Sequence, residues 1–239
     1  MLNIKTMTCE EFSNTFDTLL NSYSIQAGFG KENNNQASIA LDEYEKSVFL
    51  TKAQKELILA LYNGNNGSGN SFESTEENRR YLAPLVREIT LKPMDIKKSF
   101  SDGSHDYFTL PEDLWFITYE AVDTDSSCGS FKRIDVYPVT QDDYNRTKRN
   151  PFRGANMRRA LRLDLSDGVI EIVSKYNIGD YYIRYLKKPS PIILAPLPDD
   201  VSIDGKKDIS ECVLHEALHE RILDLAVREA IQSKITNNK

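Results

Sequence analysis

Near the C-terminus, His215-Glu216-Ala217-Leu218-His219 is the run best spaced for chemistry. His-Glu-x-x-His on a helix can bring two imidazoles to one zinc ion, with the Glu as general base. Such a site needs a third protein ligand. After His219 the chain offers neither Gly nor His, and Glu229 stands about 280° round the same helix and about 15 Å along it. His105 or an acid from the middle of the chain could in principle donate, but nothing singles one out. The same residues also read as an amphipathic helix, with His215, His219, Ile222 and Ala226 in one row and Leu214, Leu218 and Leu225 in the next. We expect a non-enzyme with no catalytic residue, cofactor or metal ligand. A zinc-dependent peptidase using His215, Glu216 and His219 is the alternative.

The second conspicuous set is basic. Arg146, Lys148, Arg149, Arg153, Arg158, Arg159 and Arg162 crowd into 146–162 without one acidic residue. The chain carries −6 in total, so the remainder sums to −13. A cationic loop on an acidic body suits self-association or one particular polyanion. The seven side chains are candidates for an intersubunit contact, where Arg pairs bidentately with carboxylates, or for phosphates of DNA in a channel. Solvated surface is the plain alternative. A second alternative function, binding single-stranded nucleic acid, would add Tyr144 and Phe152 as stacking groups.

Composition sets the frame for both. A chain of 239 residues, 40% hydrophobic and 28% charged, can bury a real core. No apolar stretch approaches the roughly 18 residues that cross a bilayer, and the first ten residues do not read as a signal peptide. Cys9, Cys128 and Cys212 are scattered, which points to a reducing compartment rather than a disulfide framework. The Asn-x-Ser/Thr matches at Asn66 and Asn145 mean nothing without secretion.

The positioning elements follow from periodicity. Thr8 caps a first helix with Glu10 and Glu11 in its first turn and Phe12, Phe16, Leu19, Leu20 and Tyr23 at helical spacing. Gly28 and Gly30 end it, and a polar stretch (31–36) follows. A second helix is expected to be capped by Thr51, with Leu57, Ile58, Leu61 and Tyr62 buried. Asn63–Asn70, nearly all Gly, Asn and Ser, reads as a flexible loop. A third helix should run from Thr75 to about Glu88, kinked or shortened by Pro84. From Ile89 the period falls to 2, giving strands at 107–110, 114–122, 131–139, 161–165, 169–173 and 181–186. Alternation sets Trp115, Ile117 and Tyr119 on one face and Leu114, Phe116 and Thr118 on the other, so a central strand with Trp115 in the core is expected. Ser210 opens a last helix reaching about Gln232. The fold class is α+β: a helical N-terminal part (1–88, flexible loop 63–72), an antiparallel β-rich middle (89–200, sandwich or curled sheet), and a long C-terminal helix and tail (201–239).

Four segments resemble, in order, the ring-forming head–tail connector proteins of tailed bacteriophages. Leu110-Pro111-Glu112-Asp113-Leu114 is similar to their entry into a first long strand. Asp143-Tyr144 through Asn150-Pro151-Phe152 resembles their short helix and Asn-Pro-Phe turn. Val169-Ile170-Glu171-Ile172 with Tyr181 to Pro189 resembles their hairpin and its exit. His219-x-x-Ile222-x-x-Leu225-Ala226-Val227 resembles their closing helix. The likeness spans about residues 107–231. The 50–57 and 61–64 stretches look like virion proteins of crAss-like phages of gut Bacteroidetes. One departure is that Glu216-Ala217-Leu218 fills a place where such proteins have a Pro before the acid. The resemblance implies a structural virion protein of the neck or tail, made in the host cytoplasm. It also implies a homo-oligomeric ring of about twelve copies below the portal that extends the DNA channel. Partners would be the portal and the next ring or tail protein, with non-specific DNA contact and no membrane. It supplies no catalytic residue.

Overall fold

A computed structural model of the protein describes residues 7–26, 40–65, 69, 71–94, 104–125 and 131–237. The expected helix stop at Gly28 and Gly30, the polar stretch 31–36, residues 66–68 and 70 of the Gly/Asn loop, and Cys128 lie outside them. The chain forms two compact units: Met1–Leu85 with Pro189–Lys239, and Val86–Lys188. The first is helical and the second holds a mixed sheet, so the α+β class stands.

In the helical unit, α1 (Cys9–Gln26) starts where the cap was expected. The Thr8 hydroxyl accepts from Glu11 N at 3.2 Å, and Thr8 N donates back to the Glu11 carboxylate at 2.9 Å. That reciprocal pair satisfies two donors the helix end would otherwise leave unmet. Phe12, Phe16 and Leu20 form its buried stripe. The second helix, α2 (Glu43–Asn63), begins well before Thr51, with a capping box between Asp42 and Glu45. Thr51 is not a cap but a buried mid-helix residue. Its hydroxyl accepts from Ile192 N at 3.1 Å, while Ser47 Oγ accepts from Leu194 N and Gln54 Nε2 donates to Ser190 O. Three polar side chains on one face of α2 thus stitch down the extended return segment 190–194.

The third helix, α3 (Glu76–Leu82), gives way to a 3-10 turn at Ala83–Leu85. It stops short of the expected Glu88 because Pro84 cannot supply the N–H that an α-helix needs. Near the C-terminus, a 3-10 turn at Glu216–Leu218 leads into α5 (His219–Asn237), which packs on α1 and α2. The helix thus opens later than Ser210 and ends beyond Gln232. Ile222, Leu223, Ala226, Val227 and Ala230 are its buried stripe, continued from Leu218 of the 3-10 turn.

Seven strands make one sheet: β1 (Val86–Leu91), β2 (Ser104–Thr109), β3 (Leu114–Asp125), β4 (Phe131–Pro138), β5 (Arg159–Asp164), β6 (Val169–Ser174) and β7 (Ile178–Lys187). Their spatial order is β1-β7-β3-β4-β5-β6-β2. The added strand, β1, is a mostly exposed edge strand, which hides it from a reading based on alternation. Every pairing is antiparallel except β4 with β5, where Asp135 faces Arg159 and Pro138 faces Arg162 in parallel register. A parallel pair cannot be closed by a tight turn and needs a long crossover. The crossover here is α4 (Gln141–Lys148) and the segment after it, so the basic run is the connection that this topology demands.

Buried clusters lie on both faces of the sheet. Phe108, Val122, Ile134, Val136, Ala160, Ile172, Tyr181 and Ile183 belong to the main core. On β5, Leu161 and Leu163 alternate to the other face, where with Val173 they receive Val139, Tyr144 and Ala155. The crossover is thereby pinned by apolar contacts at both ends.

Candidate functional site

The His-Glu-x-x-His residues do not share one helical face. His215 is the cap of the 3-10 turn, and its Nδ1 accepts from Ala217 N at 3.2 Å. Its ring sits 5.6 Å from that of Tyr81. His219 is the first residue of α5 and is buried, with its ring 5.1 Å from Phe12 and Nε2 3.2 Å from Leu214 O. Burial is the main influence on His219 and pushes its pKa down, so the neutral ring is favoured. The third ligand weighed for the motif, His105, is engaged with Glu171 at 2.7 Å across β2 and β6. The two imidazoles are spoken for by separate local contacts, which is a structural use.

Most of the basic run faces solvent. Arg146, Lys148, Arg149, Arg153 and Arg158 are exposed. Arg146 lies 3.9 Å from Asp143, with both side chains largely exposed. The Lys148 ammonium lies 6.0 Å from the Tyr144 ring centre. Arg159 is half-buried, stacking its guanidinium 4.1 Å over Tyr137 while donating to Phe152 O at 3.1 Å.

Arg162 is the exception and leaves the set of surface candidates. It alternates with Leu161 and Leu163 and so turns to the main core. There it donates to both Glu120 oxygens at 2.9 and 2.8 Å, and Tyr181 OH donates to the same carboxylate at 2.6 Å. The side chains of Arg162 and Glu120 are 11% and 9% exposed. Burial pushes the Glu120 pKa up, and the Arg162 charge opposes that rise. Through Nη1 this pair joins β3 to β5, while Nε donates to Asp164 at 2.9 Å, so Arg162 finds its partners within its own chain.

Two aromatic expectations also change. Tyr144 packs on the Leu161–Leu163–Val173 cluster with its hydroxyl buried, so it is not placed to stack on a base. Trp115 is only half-buried and stacks on Phe116 at 4.9 Å. The register of β3 against β7 shifts between Leu114 and Phe116 and again between Ile117 and Tyr119. Each shift breaks the two-residue alternation on which the facing assignment rested.

Phe152, read from the sequence only as a stacking group, is the large hydrophobic residue presented furthest outward among the described residues. Phe152 is 85% exposed and Met157 61%. Asn150 Oδ1 accepts from Phe152 N at 2.9 Å and Arg153 N at 3.2 Å, and Asn150 O accepts from Gly154 N at 2.7 Å. At Gly154 a Cβ would lie 2.9 Å from Asn150 O and 3.1 Å from Lys148 O. The Asn-Pro-x-x-Gly spacing was the available signal: Asn for a side chain that closes a turn, Gly for the close approach.

What the described residues hold outward is a shaped, cationic loop, and His215 and His219 are engaged in packing and capping contacts. The chain belongs to the phage tail ring protein 3/4 family, whose model matches residues 7–239. It is 46% identical to "Ring protein 3" of Bacteroides phage crAss001 over 239 residues, covering 98% of this chain and 100% of that protein. It is 31% identical to "Ring protein 4/5" of the same phage, over 94% of this chain and 92% of that one. Among the described residues no helix is long and apolar enough to cross a membrane.

Proposed function

We propose that the protein is a non-enzymatic subunit of a ring in the neck or tail of the particle. The ring, of about twelve copies, sits below the portal, extends the DNA channel and receives the next ring or tail protein. The near full-length match to the ring protein family carries this reading. In it, Arg146, Lys148, Arg149, Arg153 and Arg158 stand at a boundary between subunits or between rings. Lining the channel is the less favoured role for them, because a conduit through which DNA slides should not hold phosphates tightly, and each such contact adds salt-dependent affinity.

The test is the mass of the purified full chain, alone and mixed with its portal. A discrete complex holding many copies of the 27.3 kDa chain is expected. A chain that stays monomeric with and without portal would contradict the proposal, as would one that retains stoichiometric zinc and loses it in both His215→Ala and His219→Ala.

A further inference from the structure

An exposed phenylalanine ordinarily costs solubility, and a flexible loop would let it fold back. Here the backbone forbids that. Asn150 closes the turn on one side, Arg159 holds Phe152 O on the other, and Asn156 Oδ1 accepts from Arg158 N at 2.9 Å. Asn156 and Arg159 also form a backbone bridge. The crossover is anchored by Tyr144 and Ala155 against the sheet. The result is a preformed turn with an apolar tip, Phe152, on a loop that also exposes Arg149, Arg153 and Arg158. Preformed aromatic and arginine groups are the kind that dominate binding, since little freedom is lost on contact.

The complement to such a loop is a cleft that offers carboxylates together with some apolar surface, and this chain carries one. In the helical unit, a cleft of about 620 Å³ has Met7, Thr15 and Ala217 among its lining residues and Glu11, Glu216 and Glu220 as its acids. The charge balance points the same way, with +7 in the run 146–162 and −13 in the remainder. We propose that Phe152 and its arginines dock on a second copy of this chain at that cleft, with the phenyl ring against Met7 and Ala217 and the arginines against the glutamates. The inference rests on the ring reading, and adds which surface of the neighbour the loop meets. A contact between two different surfaces of identical subunits is head-to-tail, and such contacts close into rings when the rotation allows.

The test uses the full chain assembled on its portal. Chain carrying p-benzoylphenylalanine at position 152 is mixed with an excess of isotopically heavy wild-type chain, assembled, irradiated and mapped. An adduct from position 152 to a heavy-chain peptide containing Glu11 or Glu216–Glu220 is expected. Adducts to the portal, to another protein or to the same chain, or none in assembled rings, would overturn the proposal. In parallel, Phe152→Ala and Phe152→Glu should weaken ring formation roughly tenfold or more while the monomer melts as wild type does, because the exposed ring supports no core. Wild-type occupancy in both variants would overturn the docking and leave the ring reading intact. If the wild-type chain itself forms no ring, the ring reading falls and the docking falls with it.

Discussion

The segments 215–219 and 146–159 are both short runs of side chains capable of chemistry, and they differ in where their polar atoms find partners. His215 and His219 each meet a ring and a backbone group of their own unit. The exposed arginines meet little of their own chain, while the backbone beneath them is hydrogen-bonded nearly residue by residue. A polar group satisfied from within serves the fold. One held rigidly and left unmet is available to something else. The same contrast appears inside the basic run, where Arg162 is buried against Glu120 and Arg158, four residues earlier, is exposed.

The largest effect that sharpens this contrast is at the buried pair. Removing one partner of a desolvated ion pair strands the other charge, at a cost of about 3–5 kcal/mol. Arg162→Ala should therefore destabilise the protein by that order in chemical denaturation. Arg158→Ala should stay within about 0.5 kcal/mol, as surface changes do. Equal losses in the two variants would erase the distinction between them.

Gly154→Ala comes next. Its Cβ would press on two carbonyl oxygens of the preceding turn. The backbone shift should cost about 1–3 kcal/mol and disturb the presentation of Phe152. An unchanged melting temperature would show that the turn yields to the added Cβ without cost.

A smaller effect is expected from His219, and it depends on pH. Its folded pKa lies below the ordinary 6.5, mainly through burial. The unfolded chain then binds the proton more readily, so this contribution is fully present above about pH 6.5 and is lost as pH falls toward the folded value. His219→Gln should flatten the stability profile as pH falls below about 6.5. An unchanged slope would place the pH dependence elsewhere.

Much of this architecture was legible in the sequence, for identifiable reasons. The stripe Phe12, Phe16 and Leu20 and the cap at Thr8 are local and obey helical spacing, and they gave α1 its start. Tyr181 to Leu186 alternate cleanly and gave β7. Thr51 misled because a threonine before an apolar stripe resembles a cap, whereas its hydroxyl serves Ile192, 141 residues away. Arg162 misled because charge density was read along the chain, and only the pairing of β5 shows that alternate residues face opposite sides. The parallel β4–β5 pair and the bulges in β3 arise from long-range pairing that leaves no local periodicity. Phe152 lay in plain view, but its exposure depends on how Asn150 and Gly154 close the turn.

The central claim is that the outward arginines of the basic loop join copies of the chain while the fold needs little from those side chains. The most direct measurement is assembly of the quadruple variant Arg146→Glu, Arg149→Glu, Arg153→Glu and Arg158→Glu on the portal, followed by electron microscopy. Single exposed ion pairs contribute only about 0–1 kcal/mol each, so the four are reversed together. The expected result is a monomer with wild-type melting temperature that leaves portals bare, matched by progressive loss of wild-type rings as salt is raised. Complete rings at wild-type occupancy in the quadruple variant would contradict the account.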